Sequence, residues 1–295
     1  MKNKKIGVVG IKDAWSTEML ASAIEKRTGF CRIIDVEQLS VDLDSGRAMH
    51  GGEDITDYDA LIIKKIGRDY SPDMLDRLEM LRFLNRRGLK IFSKPENIIR
   101  VLDRMSCTVS LKLGGIPVPP TVITEDINEA LVAVKKFKKA VFKPLYSTKA
   151  RGMEIISDTP RAHDEIEKFK ESGNTVMYVQ KAIEIKDMDL GLVFVGGEYL
   201  STYARVKQTD SWNTTTQSGG KYNIFNPSKA VIKLAEKAQA IFGLDFTCVD
   251  VVETDDGPYV FEVSAFGGFR GVYESSGIEA AEVYLNHVLK EIKHA

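Results

Sequence analysis

The chain has 295 residues, 43% of them hydrophobic, enough to fill the cores of two or three subdomains. Its 41 basic and 42 acidic residues leave a net charge of -1, so no global field draws it to nucleic acid or to an anionic membrane, and any basic site has to be local. No segment has the roughly 18 apolar residues that a membrane helix needs. Met1 to Lys5 is basic, but Ile6 to Ile11 is too short for a signal-peptide core and holds two glycines. Cys31, Cys107 and Cys248 sit in apolar segments without metal-type spacing, which fits reduced thiols in the core of a cytoplasmic protein.

In chain order, Lys5 to Val9 reads as a short buried strand, Ser16 to Arg27 as a helix ending near Gly29, and Cys31 to Val36 and Ala60 to Ile66 as further strands. Strands alternating with helices predict a parallel α/β sheet. Gly7 and Gly10 do not complete a dinucleotide fingerprint and read as turn glycines. Ser71-Pro72 opens another helix, Gly88 follows it, and Leu89 to Phe92 returns as a strand. One helix is expected from Asn97 to Leu113, followed by Ile116 to Pro120, an extended connector that marks a first boundary. Beyond it, Ile127 to Phe137 and Arg161 to Lys170 read as helices, and Ala140 to Pro144, Glu154 to Ser157 and Val176 to Gln180 as strands. Leu190 to Val195 and Glu198 to Val206 form a hairpin through Gly196-Gly197. A long polar stretch, Lys207 to Tyr222, follows; Asn226-Pro227 starts a helix ending at Gly243, and Glu279 to Ile292 is an amphipathic final helix.

The segment that organises the chemistry is Thr247 to Gly271. Cys248 to Val252 and Tyr259 to Val263 flank a turn at Thr254 to Pro258. A loop of Asp255-Asp256-Gly257 pairs Thr254 with Pro258 and brings Asp250 opposite Glu262. Opposed residues stand roughly 4.5 to 5.5 Å apart at Cβ, so two carboxylates there repel and call for positive charge. On this register Val249, Val251, Phe261 and Val263 form the apolar face, while Asp250, Glu262 and Ser264 look out together. Hard oxygen ligands on a rigid hairpin suit Mg²⁺; the plainer reading is an acidic pair neutralised by Lys or Arg.

Opposite in charge is the region around Lys143, at the end of a strand, with Lys149, Arg151 and Gly152 in the loop Ser147 to Gly152. Cations on a flexible backbone segment can wrap a polyphosphate, although surface lysines are common and the segment is not a Walker loop. Together the two regions make the halves of a metal-nucleotide site. Nucleophilic catalysis is not indicated, since there is no Gly-x-Ser-x-Gly elbow and none of His50, His163, His287 and His294 is paired by motif with Ser or Cys. These histidines read as surface or helix-packing residues.

From Asn97 to about Leu289 the chain resembles the ATP-grasp superfamily, most closely its RimK-like carboxylate-amine ligases, and the part before it resembles the Rossmann-like domain that precedes such modules. The resemblance rests on Asn97 to Arg104, on Val141-Phe142-Lys143-Pro144 with Arg151-Gly152, on Val179 to Ile183, and on Val249-Asp250 with Phe261-Glu262-Val263-Ser264. Gly267-Gly268-Phe269-Arg270-Gly271 is similar to the GAK-system branch. The resemblance implies an α/β fold, α+β in its C-terminal half, divided at 1–96, 97–182 and 183–295. It implies ATP with Mg²⁺, or Mn²⁺ in its place, and an acyl-phosphate route joining a small-molecule or peptide carboxylate to an amine. Homo-oligomer formation stays open. Carried onto this sequence, Arg104, Lys143, Lys149, Arg151 and Gly152 contact phosphate. Gln180, Lys181, Ala182 and Ile183 hold adenine, and Asp189 lies near ribose. Asp250, Glu262 and Ser264 bind metal, and Arg205 and Arg270 handle the acyl phosphate or substrate carboxylate.

Departures from the family pattern are Arg104 for a lysine, Gly191 for an arginine, Ser264 for an asparagine, and Trp212-Asn213-Thr214 where basic residues are usual. They imply a different acceptor. An ATP-grasp kinase acting on a hydroxyl and a nucleotide-binding regulatory module without catalysis are the alternative readings.

Overall fold

The structure, a computed structural model, describes residues 3–148, 150–207, 214 and 220–294, the last by its backbone only. Apolar strands β1 (Ile6–Val9), β2 (Arg32–Ile34), β6 (Ala60–Ile63) and β7 (Ile91–Phe92) form a parallel sheet in the order β2-β1-β6-β7. Every residue of β1 and β6 is buried, as expected for strands covered on both faces. Helix α1 (Trp15–Thr28) covers one face and stops at Gly29, whose φ of 80° is the left-handed conformation glycine adopts without strain. Helix α2 (Asp73–Arg86) covers the other face with Met74, Leu78, Leu81 and Leu84. Gly7 proves to be a packing glycine within β1 rather than a turn residue: a Cβ there would stand 2.8 Å from Leu61 Cδ2. Between β2 and β6 the chain makes a small antiparallel sheet not anticipated from sequence, β3 (Leu39–Val41), β4 (Ala48–His50) and β5 (Glu53–Asp54).

The single helix expected over Asn97 to Leu113 is two, α3 (Pro95–Leu102) and α4 (Arg104–Leu113). The break is chemical. Asp103 takes extended dihedrals and its carboxylate accepts from Ser106 N at 2.8 Å, so it caps a new helix instead of continuing the old one. Arg104 thereby becomes the first residue of α4, and its side chain leaves the helix at the cap.

The central sheet is antiparallel, with β8 (Thr121–Thr124), β9 (Lys139–Lys143), β10 (Glu154–Ser157) and β11 (Met177–Lys181) in the order β10-β9-β11-β8. Helices α5 (Ile127–Phe137), capped by Asp126, and α6 (Ala162–Glu171) pack on one face through Ala130, Val134, Ile166 and Phe169. Such fully buried aliphatic or aromatic side chains each contribute roughly 1.5 to 3 kcal/mol.

The third sheet is antiparallel and five-stranded: β12 (Met188–Val195), β13 (Glu198–Val206), β14 (Lys221–Ile224), β15 (Phe246–Thr254) and β16 (Gly257–Ser264), in the order β14-β13-β12-β15-β16. Its back face, Leu190, Leu192, Phe194, Val249, Val251 and Val263, belongs to one core with α7 (Lys229–Ala240). That helix starts after Ser228, whose hydroxyl accepts from Val231 N, and not at Asn226-Pro227. On the front face α8 (Phe269–Ser276), also unanticipated, packs on β13 and β14. Helix α9 (Ala280–His294) returns to pack on α1, with Arg27 bound to Glu282 and Asn286.

The hairpin of β15 and β16 reaches the expected pairing by another route. The turn has two residues, with Thr254 opposite Gly257 and Glu253 opposite Pro258. A bulge between Asp250 and Val251 then absorbs one extra residue of β16, and Asp250 faces Glu262 after all. Val260, wholly buried, therefore takes the core position expected for Phe261, which turns to the front.

Where the N-terminal sheet meets the front of the third sheet, Lys64 is buried with its Nζ 3.8 Å from the Phe269 ring centroid, and it donates to Phe266 O at 2.9 Å. Burial pushes its ammonium down to about 7. A lysine whose folded pKa lies below its ordinary 10.5 binds fewer protons folded than unfolded between those limits, so stability rises with pH across that window. Comparing denaturant midpoints at pH 7 and pH 9, we expect Lys64→Met to be the more stable variant at pH 7 and to lose part of the wild-type gain on going to pH 9. Equal gains in both proteins would contradict a charge held in this setting.

Candidate active site

A cavity of about 490 Å³ opens between the three sheets. Its floor is the front of the five-stranded sheet, where Asp189, Gly191, Tyr203, Arg205, Cys248 and Asp250 share a face by register. Its walls are the end of β9, the start of α4, and the segment after β6.

Arg104 is 9% exposed and joins three pieces of the wall. One guanidinium nitrogen lies 3.3 Å from Glu262 Oε2, another donates to Ser147 O and Oγ, and Nε donates to Pro144 O. Lys143, at the end of β9, donates to Gln180 Oε1 at 2.6 Å and faces the Phe261 ring at 5.4 Å. Gln180 donates in turn to Tyr178 Oη and Thr121 Oγ1, so the amide that orients Lys143 is itself fixed. Burial pushes the Lys143 ammonium down to about 7, with Arg104 acting the same way and Glu262 opposing. An arriving polyanion would restore its charge.

On the floor, Asp189 and Arg205 are opposed residues of β12 and β13, and the guanidinium spans to Asp250 Oδ2 at 2.9 Å. Thr214 Oγ1 donates to the same Asp189 carboxylate. Burial works against the Arg205 charge, but Asp250 and Asp189 outweigh it and raise its pKa further. Burial raises the Asp250 pKa, Arg205 opposing. Removing one member of such a buried set leaves an uncompensated charge, at a cost of roughly 3 to 5 kcal/mol.

The expected metal set divides. Asp250 and Glu262 both line the cavity and face each other across the hairpin, each held by one arginine. Ser264 Oγ also reaches it, yet it already accepts from Phe266 N and Gly267 N, both at 3.2 Å, and closes the turn into α8. Among the described residues no group of three or more His, Cys, Asp or Glu is disposed to hold a metal. Two opposed carboxylates fit Mg²⁺, which takes its other ligands from phosphate and water.

Arg151 lines the cavity from an exposed position, donating to Thr148, and Gly152 has a φ of 68° with a Cβ position 3.0 Å from Pro144. Lys149 lies outside the described residues, as does most of the polar stretch 207–222. Gln180 reaches the site through Lys143, whereas Lys181, the last residue of β11, and Ala182 and Ile183 after it do not line the cavity; Ile185 does. Arg270 is not brought to the site. It is 57% exposed, lies 3.6 Å from Glu274 and stacks over Trp15 at 5.3 Å.

Gly191, in the place of a family arginine, has a physical reason. A Cβ there would stand 2.3 Å from Tyr203 Cζ, and a Cβ at Gly271 would stand 2.3 Å from Tyr203 Cε1. The Tyr203 ring is clasped between two glycines, its hydroxyl 3.3 Å from Cys248 Sγ. Sequence reasoning missed this, and missed the wall after β6: Lys65, Ile66, Gly67, Arg68, Tyr70 and Met74. One signal was present, since sites in open α/β sheets gather at the carboxyl ends of strands.

Fold and site agree with the family comparison. A model described as a RimK-like ATP-grasp domain matches residues 101–288, and the chain belongs to that family. By class it is an ATP-grasp carboxylate-amine ligase. A tetrahydromethanopterin:alpha-L-glutamate ligase of Methanocaldococcus jannaschii is 28% identical over 232 residues, covering 77% of this chain and 79% of its own. Another of that name from Methanosarcina acetivorans is 26% identical, covering 97% and 98%. Among solved structures, a RimK domain ATP-grasp protein from Sphaerobacter thermophilus superposes with a TM-score of 0.75 at 19% identity, covering 96% of this chain and 98% of its own. The ATP-grasp ligase PsnB, complexed with minimal precursor, Mg and ADP, does so with 0.74 at 16%, covering 99% of each. No described helix is long and apolar enough to cross a membrane.

The packing around Tyr203 carries a test. Gly191→Ala should cost about 1 to 3 kcal/mol, read as a lowered denaturant midpoint. Combined with Tyr203→Ala, the two costs should add to less than their sum, because the second change removes the atoms the first collides with. An unaltered midpoint for the single variant would show that the ring is not clasped.

Proposed function

We propose that the chain uses ATP with Mg²⁺, or Mn²⁺ by the same preference for oxygen ligands, to activate a substrate carboxylate and join it to an amine. The observation that supports this best is one cavity lined by Lys143 and Arg104 on one side and by Asp250 and Glu262 on the other. A carboxylate oxygen attacks the γ-phosphorus and ADP leaves with the bridging oxygen. The amine nitrogen then attacks the acyl carbon, phosphate leaves, and the nitrogen loses a proton. This sequence asks the protein for positioning and charge neutralisation, in keeping with a site built of cations and carboxylates.

In this reading Lys143 and Arg104 hold phosphate oxygens, with Arg151 and Gly152 in the loop above them. Asp250 and Glu262 hold the metal, which when bound neutralises charge developing on the phosphates. Arg104 and Arg205, which pair with these carboxylates, would also suit phosphate and acyl oxygens. Ile185 and the backbone of Gln180 to Ile183 border the base, and Asp189 with Thr214 borders the sugar. We assign no catalytic part to Arg270. The three-part division at 1–96, 97–182 and 183–295 is supported by the sheets, none of which crosses a boundary: the parallel sheet and the small β3-β4-β5 sheet fall in the first part, and one antiparallel sheet falls in each of the others. Relatives named as alpha-L-glutamate ligases favour glutamate among the substrates.

The test is ADP release with Mg·ATP against amino acids, short peptides and polyacidic acceptors, with product masses read for condensation with loss of water. Glu262→Gln should lower turnover by about a hundredfold or more, leaving the unfolding midpoint near that of the parent. A fully active variant would remove Glu262 from the metal site.

A further inference from the structure

We propose that the segment Lys65 to Tyr70 is the acceptor wall of the cavity and that Arg68 reads a second anionic group on the substrate, so that the enzyme selects substrates carrying a carboxylate or phosphate beyond the one being activated. This rests on the ligase reading above.

Three observations carry it. First, among the described residues the cavity is lined by six cations, Lys65, Arg68, Arg104, Lys143, Arg151 and Arg205, against three carboxylates, Asp189, Asp250 and Glu262. The chain as a whole has a net charge of -1, so the imbalance is local to this cavity. Low-dielectric walls focus such a field on the ligand.

Second, the cations differ in what they hold. Arg205 serves Asp189 and Asp250, Arg104 serves Glu262, and Lys143 is bound to Gln180 beside the phosphate region. Arg68 makes no hydrogen bond or ion pair among the described residues. It stands on the side of the cavity contributed by the N-terminal sheet, and no described carboxylate from that sheet lines it.

Third, the loop that presents Arg68 is built rather than slack. Arg77 of α2 donates to Ile66 O at 3.0 Å and pairs with Glu37 at 3.1 Å. A Cβ on Gly67 would stand 2.1 Å from an Arg77 guanidinium nitrogen, so Gly67 lets the loop lie directly on its support. Beyond Arg68, Met74 is buried in the core and Tyr70 packs against that core, which fixes the far end of the segment. A guanidinium on a supported loop matches a carboxylate or phosphate with two parallel N–H donors.

The experiment uses the full chain with Glu-Glu dipeptide and with Gln-Gln, which keeps the terminal carboxylate and lacks the side-chain charges. ADP release with Mg·ATP gives kcat and KM, and calorimetric titration of each dipeptide into protein loaded with Mg·AMPPNP gives binding without turnover. Expected are preference for Glu-Glu, a KM for it raised about tenfold or more in Arg68→Ala with kcat changed far less, and partial recovery in Arg68→Lys. Equal use or binding of the two dipeptides, failure of the wild type to bind Glu-Glu, or an unchanged KM in Arg68→Ala would overturn the assignment. Charge-dependent binding of Glu-Glu that is lost in Arg68→Ala, without ADP release, would uphold this wall and count against the ligase reading instead.

Discussion

Two carboxylates facing each other across a hairpin set the terms for everything around them. Asp250 and Glu262 are opposed on β15 and β16, and their repulsion has to be met from outside the hairpin. It is met by arginines from different parts of the chain, Arg205 from β13 and Arg104 from the start of α4. Each therefore fixes geometry as well as charge. Arg104 ties α4 and the loop after β9 to the hairpin, and Arg205 ties β12 and β13 to β15. The same guanidinium groups suit phosphate oxygens, so the protein resolves its own electrostatic conflict with the groups a polyphosphate would use.

Packing confines that charge to one face. Behind the hairpin, Val249, Val251, Val260 and Val263 are wholly buried against α7 and the helix pair α3 and α4. Cys107 of α4 belongs to this backing: its Sγ lies 3.5 Å from Val263 N, next in the chain to Glu262. In front, Tyr203 fills the space that two glycines leave open, and its hydroxyl meets a buried thiol rather than the solvent. An arginine at position 191 would have to displace that ring. The charge that pairs with Asp250 is supplied two residues along the neighbouring strand, by Arg205, which explains how this chain keeps a cation beside Asp250 without one at Gly191.

Much of this was legible in the sequence because the strongest signals are local. The helix expected over Ile127 to Phe137, the Gly196-Gly197 turn and the strand expected over Ala140 to Pro144, found at Lys139–Lys143, follow from residue types over a few positions. Register is where local reasoning loses its hold. The opposition of Asp250 and Glu262 came out right through two offsetting departures, a turn one residue shorter than expected and a bulge that restores the count. Phe261 pays the difference by moving from the core to the site. In β12 and β13 a simple count from the glycine turn would place Ala204 opposite Asp189, and only the irregularity between Val193 and Phe194 brings Arg205 there. Bulges are answers to twist and closure of the whole sheet, and a short window of sequence does not contain them. The break at Asp103 is different: aspartate is a local N-cap signal, and the single helix expected over Asn97 to Leu113 took no account of it.

The wall after β6 was missed for a further reason. Lys64 to Tyr70 follows β6 of the N-terminal sheet, far along the chain from the hairpin, and nothing in its own composition points to Asp250. Its role depends on docking: Lys64 reaches across to the Phe266 carbonyl, in the loop that Ser264 closes with its hydroxyl. Ser264 thus does from the hairpin what Lys64 does from the N-terminal sheet, holding one short loop between them. That loop joins β16 to α8 and lines the cavity through Phe266, Gly267 and Gly268. A change in how the N-terminal sheet sits would be transmitted to the hairpin of β15 and β16 through these two contacts. The position of the acceptor wall and the geometry of the carboxylates are therefore set by the same loop, which gives one enzyme a means of matching the substrate it admits to the bond it activates.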